Sequence, residues 1–273
     1  MTLKTLEAMW KKSSHYETEI ARSLWNGRVR TFAQKQLPTL EENPFLQLIQ
    51  RRVPLHSQIT ALDVGCGTGI YSLALASEIG LVEGCDVADQ MIAIANQQAA
   101  QLKFDNARFH CLDWQTVDID ALGYRGRVDI VFAHMTPAVD DFATLDKMVS
   151  CAKQHCFLRK TTRRKDHILD QALSLLEVSR NGDPDTDPME YLFSYLWQKG
   201  FEPHFHYERG SMGGEQSVEE MLRWVMGWAR QHRDVSPSDE ALVREYLESI
   251  AVDGILCERI DTTYVTVDWS VRL

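Results

Sequence analysis

Four short clusters in the chain hold residues whose types and spacing could do chemistry. The first is Asp63-Val64-Gly65-Cys66-Gly67-Thr68-Gly69. Glycines at alternate positions let a chain turn sharply and let a ligand lie against bare peptide groups. A helix that follows such a turn aims its free N–H groups at the same spot. The second is Asp86, which ends the run Glu83-Gly84-Cys85-Asp86. A carboxylate there can accept hydrogen bonds from two neighbouring hydroxyls. The third is the pair Asp113-Trp114, and the fourth is His134 within Phe132-Ala133-His134-Met135-Thr136-Pro137-Ala138-Val139. A histidine titrates near neutral pH and suits proton removal. Its competing role is structural, bonding a loop carbonyl and shaping a pocket.

The surrounding elements must hold these clusters in place. Residues 59–64, 81–85, 107–111, 128–133 and 155–159 are short apolar runs expected as buried strands. Between them, 70–79, 89–101 and 141–153 have helical periodicity, with Gly80 closing the first helix and Asp89 expected to cap the second. Such alternation implies a parallel sheet with right-handed crossovers. Beyond 160 the rhythm loosens. Helices are expected over 165–179, 188–199, 218–232 and 238–250, with a breaker at Asn181-Gly182-Asp183-Pro184. Strands are expected over 201–207 and 259–271, and a flexible turn over 210–214. Ahead of the core, Trp10, Tyr16, Ile20, Leu24, Trp25 and Phe32 recur at rough helical spacing, ended by Pro38 and Pro44. The expected fold is α/β: a doubly wound, mostly parallel seven-stranded sheet with an antiparallel strand near the C-terminus. An N-terminal helical arm or lid occupies 1–50. The main domain spans 51–273, with a helical insertion forming cap elements around 161–250.

The glycines are spaced G-x-G-x-G, and an acid precedes them at Asp63. A dinucleotide fingerprint would need a glycine at the position held by Ile70. With Asp86 and Asp113 following on the next two strand ends, the set resembles class I, Rossmann-like S-adenosylmethionine-dependent methyltransferases of the small-molecule type. The resemblance covers about 57–160 and implies S-adenosyl-L-methionine as cofactor and S-adenosyl-L-homocysteine as product. It implies a cofactor site of Asp63, Gly65, Cys66, Gly67, Thr68, Gly69, Asp86, Val87 and Met91, with Asp86 accepting from the ribose hydroxyls. Asp113 would meet the adenine amino group, with Trp114 beside the ring. His134 would lie next to the reacting methyl group, as cofactor contact and candidate base. The segment from Trp25 to Phe32 resembles the aromatic pre-core helix that folds over the cofactor, so Trp25 and Arg28 would enclose the methionine end. The plainer reading of that segment is hydrophobic packing on the sheet. The loop around His134 does not match the Asn/Asp-Pro-Pro-aromatic loop of amino-methylating nucleic acid enzymes.

Of the 273 residues, 44% are hydrophobic and 25% charged, which allows a core of normal size. The net charge of -10 argues against nucleic acid as partner, because phosphate binding rests on Lys and Arg. The densest basic run, 159–165, reads as a solvated loop and helix start, or as a rim that attracts an anionic substrate. Six cysteines without a C-x-x-C pair read as free thiols in a reducing compartment. No signal peptide and no membrane-length apolar run is seen, so a cytoplasmic location is expected. His204-x-His206 is the best metal lookalike but lacks a third ligand, and no metal is expected. Tyr191, Tyr195, Trp197, Met212, Met221, Trp224, Met226 and Trp228 could line an acceptor pocket. At helical spacing such a stripe is more often core or the contact of a homodimer. The expected activity is methyl transfer to a small-molecule O, N or S acceptor. The alternatives are a non-catalytic S-adenosylmethionine-binding module and an NAD-dependent oxidoreductase.

Overall fold

A computed structural model describes residues 2–11, 16–179 and 187–272. Four helices precede the sheet: α1 (Leu3–Met9), α2 (Thr18–Asn26), α3 (Val29–Ala33) and α4 (Pro44–Arg52). The alternating core follows as β1 (Thr60–Val64), α5 (Ile70–Ala76), β2 (Leu81–Asp86), α6 (Asp89–Leu102), β3 (Ala107–Cys111), β4 (Val128–His134), α7 (Phe142–Cys151) and β5 (Ala152–Asp166). The remainder is α8 (His167–Ser174), α9 (Pro188–Gln198), β6 (His204–Ser217), α10 (Val218–Arg230), α11 (Pro237–Ile250) and β7 (Ile255–Ser270).

The seven strands lie in the order β3-β2-β1-β4-β5-β7-β6. β1 to β5 run parallel, and β7 is antiparallel to both of its neighbours. The architecture is therefore the expected seven-stranded α/β sheet. The order reverses between β1 and β4, and a ligand crevice forms outside the strand ends at such a point. Ala61, Leu62 and Val64 are buried because helices cover both faces of β1. One face packs on Leu6 of α1 and Trp10 just after it, Leu145 and Met148 of α7, and Leu192 and Leu196 of α9. The other packs on α4, α5 and α6, through residues such as Phe45, Ile49, Leu73 and Ala95. A third cluster joins α8, α10 and α11 into a cap. Pro44 starts α4, and the Asn43 side chain accepts from the backbone N–H groups of Phe45 and Leu46. Among the described residues, no helix is long and apolar enough to cross a membrane.

Several local expectations need correction. Asp89 does not cap α6; it is the first helical residue, the N-cap is Ala88, and the Asp89 carboxylate accepts from Asn26 Nδ2 at 2.8 Å. The flexible turn over 210–214 is strand, because β6 pairs with β7 without a break from His204 to Ser217. Gly210 and Gly213 serve close packing there: a Cβ would meet the Tyr264 ring at 2.8 Å and the Glu258 carbonyl oxygen at 2.0 Å. The basic run 159–165 is neither loop nor helix start, since β5 continues through it on the β7 ladder. That ladder takes the residues expected to open the following helix, so α8 spans only His167–Ser174. The breaker at Asn181-Gly182-Asp183-Pro184 lies outside the described residues.

Candidate active site

The glycine loop, the ends of β2 and β4 and the segment after β3 border one cavity of about 320 Å³. Gly65, Cys66, Gly67, Thr68, Asp86, Val87, Met91, Asp113, Trp114, His134 and Trp25 all line it. Asp63 and Gly69 sit just behind this wall. Arg28 lies over the Trp224 ring, 4.8 Å from its centroid, and donates to Gln216 Oε1 at 3.4 Å.

The three glycines do different work. A Cβ on Gly65 would fall 2.0 Å from Thr136 Oγ1, so this glycine lets the loops after β1 and β4 close on each other. A Cβ on Gly69 would strike the Phe109 ring at 2.6 Å. Gly67 alone faces open space, with φ of +55° and nothing nearer to a Cβ than Phe32 at 3.9 Å. The Gly67 N–H donates to Asp86 Oδ2 at 2.9 Å, and the Ala88 N–H donates to Asp86 Oδ1 at 2.9 Å. Asp86 therefore holds the loop in register and keeps lone pairs on both oxygens for a ligand's hydroxyls.

Asp63 is buried beneath the loop. Its Oδ2 accepts from Ser72 Oγ at 2.7 Å, while its Oδ1 has no hydrogen-bond partner. Burial pushes its pKa up to about 7 and the Asp86 charge adds to this, against the opposing Ser72 bond. An orphaned carboxylate oxygen under a glycine loop fits a cationic ligand, as the implied cofactor is. In the free protein it has a cost. Between pH 4 and 7 the folded state holds the Asp63 proton and the unfolded state has lost it. Stability therefore falls as pH rises through that window, and the deficit is complete above about pH 7. Asp63→Asn is expected to remove this slope and to raise stability at pH 7.5 by up to roughly 4 kcal/mol. Thermal unfolding of both proteins across pH 4–8 checks it; parallel profiles would return Asp63 to ordinary behaviour.

Asp113 is engaged by the N-terminal arm. Tyr16 donates its hydroxyl to Oδ1 at 2.9 Å and Thr18 donates to Oδ2 at 2.5 Å. Arg22 Nε donates to the Val87 carbonyl at 3.1 Å. The arm also docks on the cap: Trp25 meets Trp224 edge to face at 5.6 Å, and a Cβ on Gly227 would strike Leu24 at 2.4 Å. Trp114 is buried, with Nε1 donating to the Thr144 carbonyl. Lys147 was not visible as a site residue in the sequence. Its ammonium donates to the carbonyls of Trp114, Gln115 and Val117 at 3.0, 2.8 and 3.1 Å and so fixes the loop after β3.

His134 stacks against Tyr71, with ring centroids 3.8 Å apart, and meets Phe45 at 4.7 Å. Burial, then the charges of Arg159 and Lys35, push its pKa well below the usual histidine range. The far wall adds Lys35, Met212, Gln231 and Tyr264, of which only Met212 carried a signal as a pocket residue. The rest of the aromatic and methionine stripe lies elsewhere. Tyr191 and Tyr195 belong to the core under the sheet, Met221 and Met226 to the cap core, and Trp197 is exposed. Tyr195 and Lys199 have the Tyr-x-x-x-Lys spacing of a reductase pair. Both instead bind Asp146, at 2.6 and 2.8 Å, and neither borders the cavity.

Residues 55–189 match a methyltransferase domain family. An uncharacterized protein of Haemophilus influenzae is 28% identical over 183 residues, covering 66% of this chain and 65% of its own. A ubiquinone biosynthesis O-methyltransferase of Coxiella burnetii is 32% identical over 105 residues, 38% of this chain and 42% of its own length. The chain thus spans less than two thirds of the length of these curated relatives. Among solved structures, the 4+2 cyclase SpnF superposes with a TM-score of 0.54 at 14% identity, covering 96% of this chain and 97% of that one. That likeness is one of fold, and a fold of this kind hosts more than one chemistry. By sequence, residues 55–189 match a methyltransferase domain, and the seven-stranded sheet around them has the fold of S-adenosylmethionine-dependent methyltransferases.

Proposed function

We propose that this chain transfers the methyl group of S-adenosylmethionine to an O, N or S atom of a small-molecule acceptor. The observation that carries the reading is the convergence of the glycine loop, Asp86, Asp113 and the β4 end on one cavity under a docked arm. When bound, the cofactor supplies a methyl group already activated on a sulfonium. The chain's own residues position and enclose. Gly67 offers its peptide face, Asp86 accepts the ribose hydroxyls, and Asp113 accepts from the adenine amino group. Asp63 places negative charge below the methionine end. Tyr16, Thr18, Trp25 and Phe32 of the arm exclude water, with 1–50 acting as lid and 161–250 as cap. Free thiols at all six cysteines are in keeping with a reducing compartment, and we place the activity in the cytoplasm.

Titration calorimetry with S-adenosylmethionine, S-adenosylhomocysteine and NADH tests the reading. Binding of the first two and not the third supports it, and binding of NADH alone would overturn it.

His134 is the candidate proton acceptor beside the methyl site. Its surroundings hold it neutral, which is the accepting form, but also weakly basic. His134→Ala is expected to lower kcat on the order of 10²-fold with little change in cofactor affinity. The wild-type rate is expected to stay flat across the range in which an ordinary histidine titrates, because burial pushes this group below that range. An unaltered kcat would leave His134 as a pocket wall stacked on Tyr71.

A further inference from the structure

Lys35 is the cation that the rest of the site leaves unbalanced. It follows α3 and borders the cavity, its ammonium 4.0 Å from the Phe32 ring centroid. Among the described residues it makes no ion pair. Burial, then the neighbouring Arg28 charge, pull its pKa down, and no acid counters them. The other basic groups near this wall are engaged: Arg28 lies over the Trp224 ring and donates to Gln216. Arg159 holds Glu208 and Thr266, and Lys160 holds Asp140. Within the basic run 159–165, Arg159, Lys160 and Arg164 are thus held by acids of the protein itself. The cavity's carboxylates, Asp86 and Asp113, lie at the ends of β2 and β3 and are engaged by Gly67, Ala88, Tyr16 and Thr18. The Lys35 charge is felt instead by His134, on β4. Phe32, Tyr71, Met212 and Tyr264 line the same cavity, with Gln231 as the polar group of that wall.

An ammonium facing a largely apolar cavity with no carboxylate beside it favours an anion and disfavours a cation. We propose that Lys35 selects the acceptor, which is a small molecule with an aromatic or otherwise flat apolar body and a carboxylate that pairs with this ammonium. The inference rests on the methyltransferase reading and names the substrate class for that same cavity. Acceptors whose only charge is an ammonium are excluded by the same field.

The test uses the full chain saturated with S-adenosylhomocysteine and two matched probe pairs. These are phenylacetate with phenylacetamide, and 1-naphthylacetate with 1-naphthylacetamide, followed by calorimetry and ligand-observed NMR. The acids are expected to bind on the order of tenfold more tightly than the amides, as one charge-assisted bond in a dry site allows. Lys35→Met is expected to erase the preference and Lys35→Arg to retain it. S-adenosylhomocysteine affinity is expected to change by less than about twofold in both variants. Acids and amides that bind alike, acids that fail to bind, or a preference that survives Lys35→Met would each overturn the proposal. So would a loss of S-adenosylhomocysteine affinity in Lys35→Met, since the ammonium would then serve the cofactor's own carboxylate. Failure of the wild-type protein to bind S-adenosylhomocysteine at all would instead remove the underlying reading, so the two failures are distinct.

Discussion

Gly67→Val is expected to weaken S-adenosylhomocysteine binding by more than about 10²-fold, while the protein stays folded. Two effects act in the same direction. Gly67 sits at φ +55°, where a β-branched residue is strained by roughly 1–3 kcal/mol. The loop can relieve that strain by turning away from Asp86, at the loss of the 2.9 Å bond from the Gly67 N–H. The second effect is steric. The space over Gly67 is open as far as Phe32, and it is the only one of the three loop glycines for which this holds. Valine fills that space with three carbons, at the height where a ligand would lie against the peptide. Neither effect reaches the cores, since no core side chain touches the added atoms, so the thermal midpoint should fall by only a few degrees.

The control is Gly65→Ala, which acts by another route. Its Cβ would strike Thr136 and push apart the loops after β1 and β4. It is expected to cost stability first and affinity second. Calorimetry on both variants separates the cases. An affinity within about threefold of wild type in Gly67→Val would mean that no ligand crosses Gly67 and that the loop is structural.

How far the sequence reveals this site depends on whether a residue's neighbours along the chain define its role. The loop after β1 does so locally: strand, glycines and helix are consecutive, and the acid at Asp63 lies in the strand that leads directly into the turn. Asp86 and Asp113 follow at strand ends for the same reason. Lys35 and Tyr264 have no such local context. Each reaches the cavity only because the arm and the β5-β7-β6 ladder pack there, and nothing in the adjacent residues announces it. Composition and pairing conflict in two strand segments. Residues 159–165 are rich in Lys and Arg and 210–214 in Gly, both signals of loop, yet β7 lies between β5 and β6 and binds the backbone of each. Tertiary pairing overrode local preference there. Asp89 misled in a similar way. It has the residue type of a cap, but Asp86, three residues earlier, already accepts the Ala88 N–H, so the helix begins one residue sooner than a capping Asp89 would allow.

The largest effect on stability is expected at a residue far from the cavity. Asp268 of β7 is fully buried and takes hydrogen bonds from three separate elements. His155 Nε2 of β5 donates to Oδ2 at 2.9 Å, and His206 Nε2 of β6 donates to Oδ1 at 2.7 Å. Arg52, at the end of α4, contributes Nε at 2.7 Å. The carboxylate thus ties both neighbours of β7 to the helix beneath them. Its second imidazole belongs to the histidine pair that looked like a metal ligand in the sequence. Burial alone would raise the Asp268 pKa, but the bonds from His155, His206 and Arg52, with the Arg52 charge, outweigh it and hold it at about 2. Because the folded value lies below the ordinary one, this contribution is present above about pH 4 and is lost as pH falls toward 2. Asp268→Ala leaves a guanidinium and two imidazoles without their acceptor, a loss of roughly 3–5 kcal/mol by analogy with other broken buried pairs. Asp268→Asn keeps the shape and loses the charge, and should fall between the two. Urea unfolding at pH 7 and pH 3 checks both points: the gap between wild type and Asp268→Asn should narrow at the lower pH. His155 pairs with Ile130 in the register, four residues before Arg159 meets His134, or roughly 13 Å down the sheet. At that separation, folded Asp268→Asn should bind S-adenosylhomocysteine as wild type does. A stability equal to wild type at pH 7 would show that the histidines and Arg52 find other partners and that the strands hold together without this carboxylate.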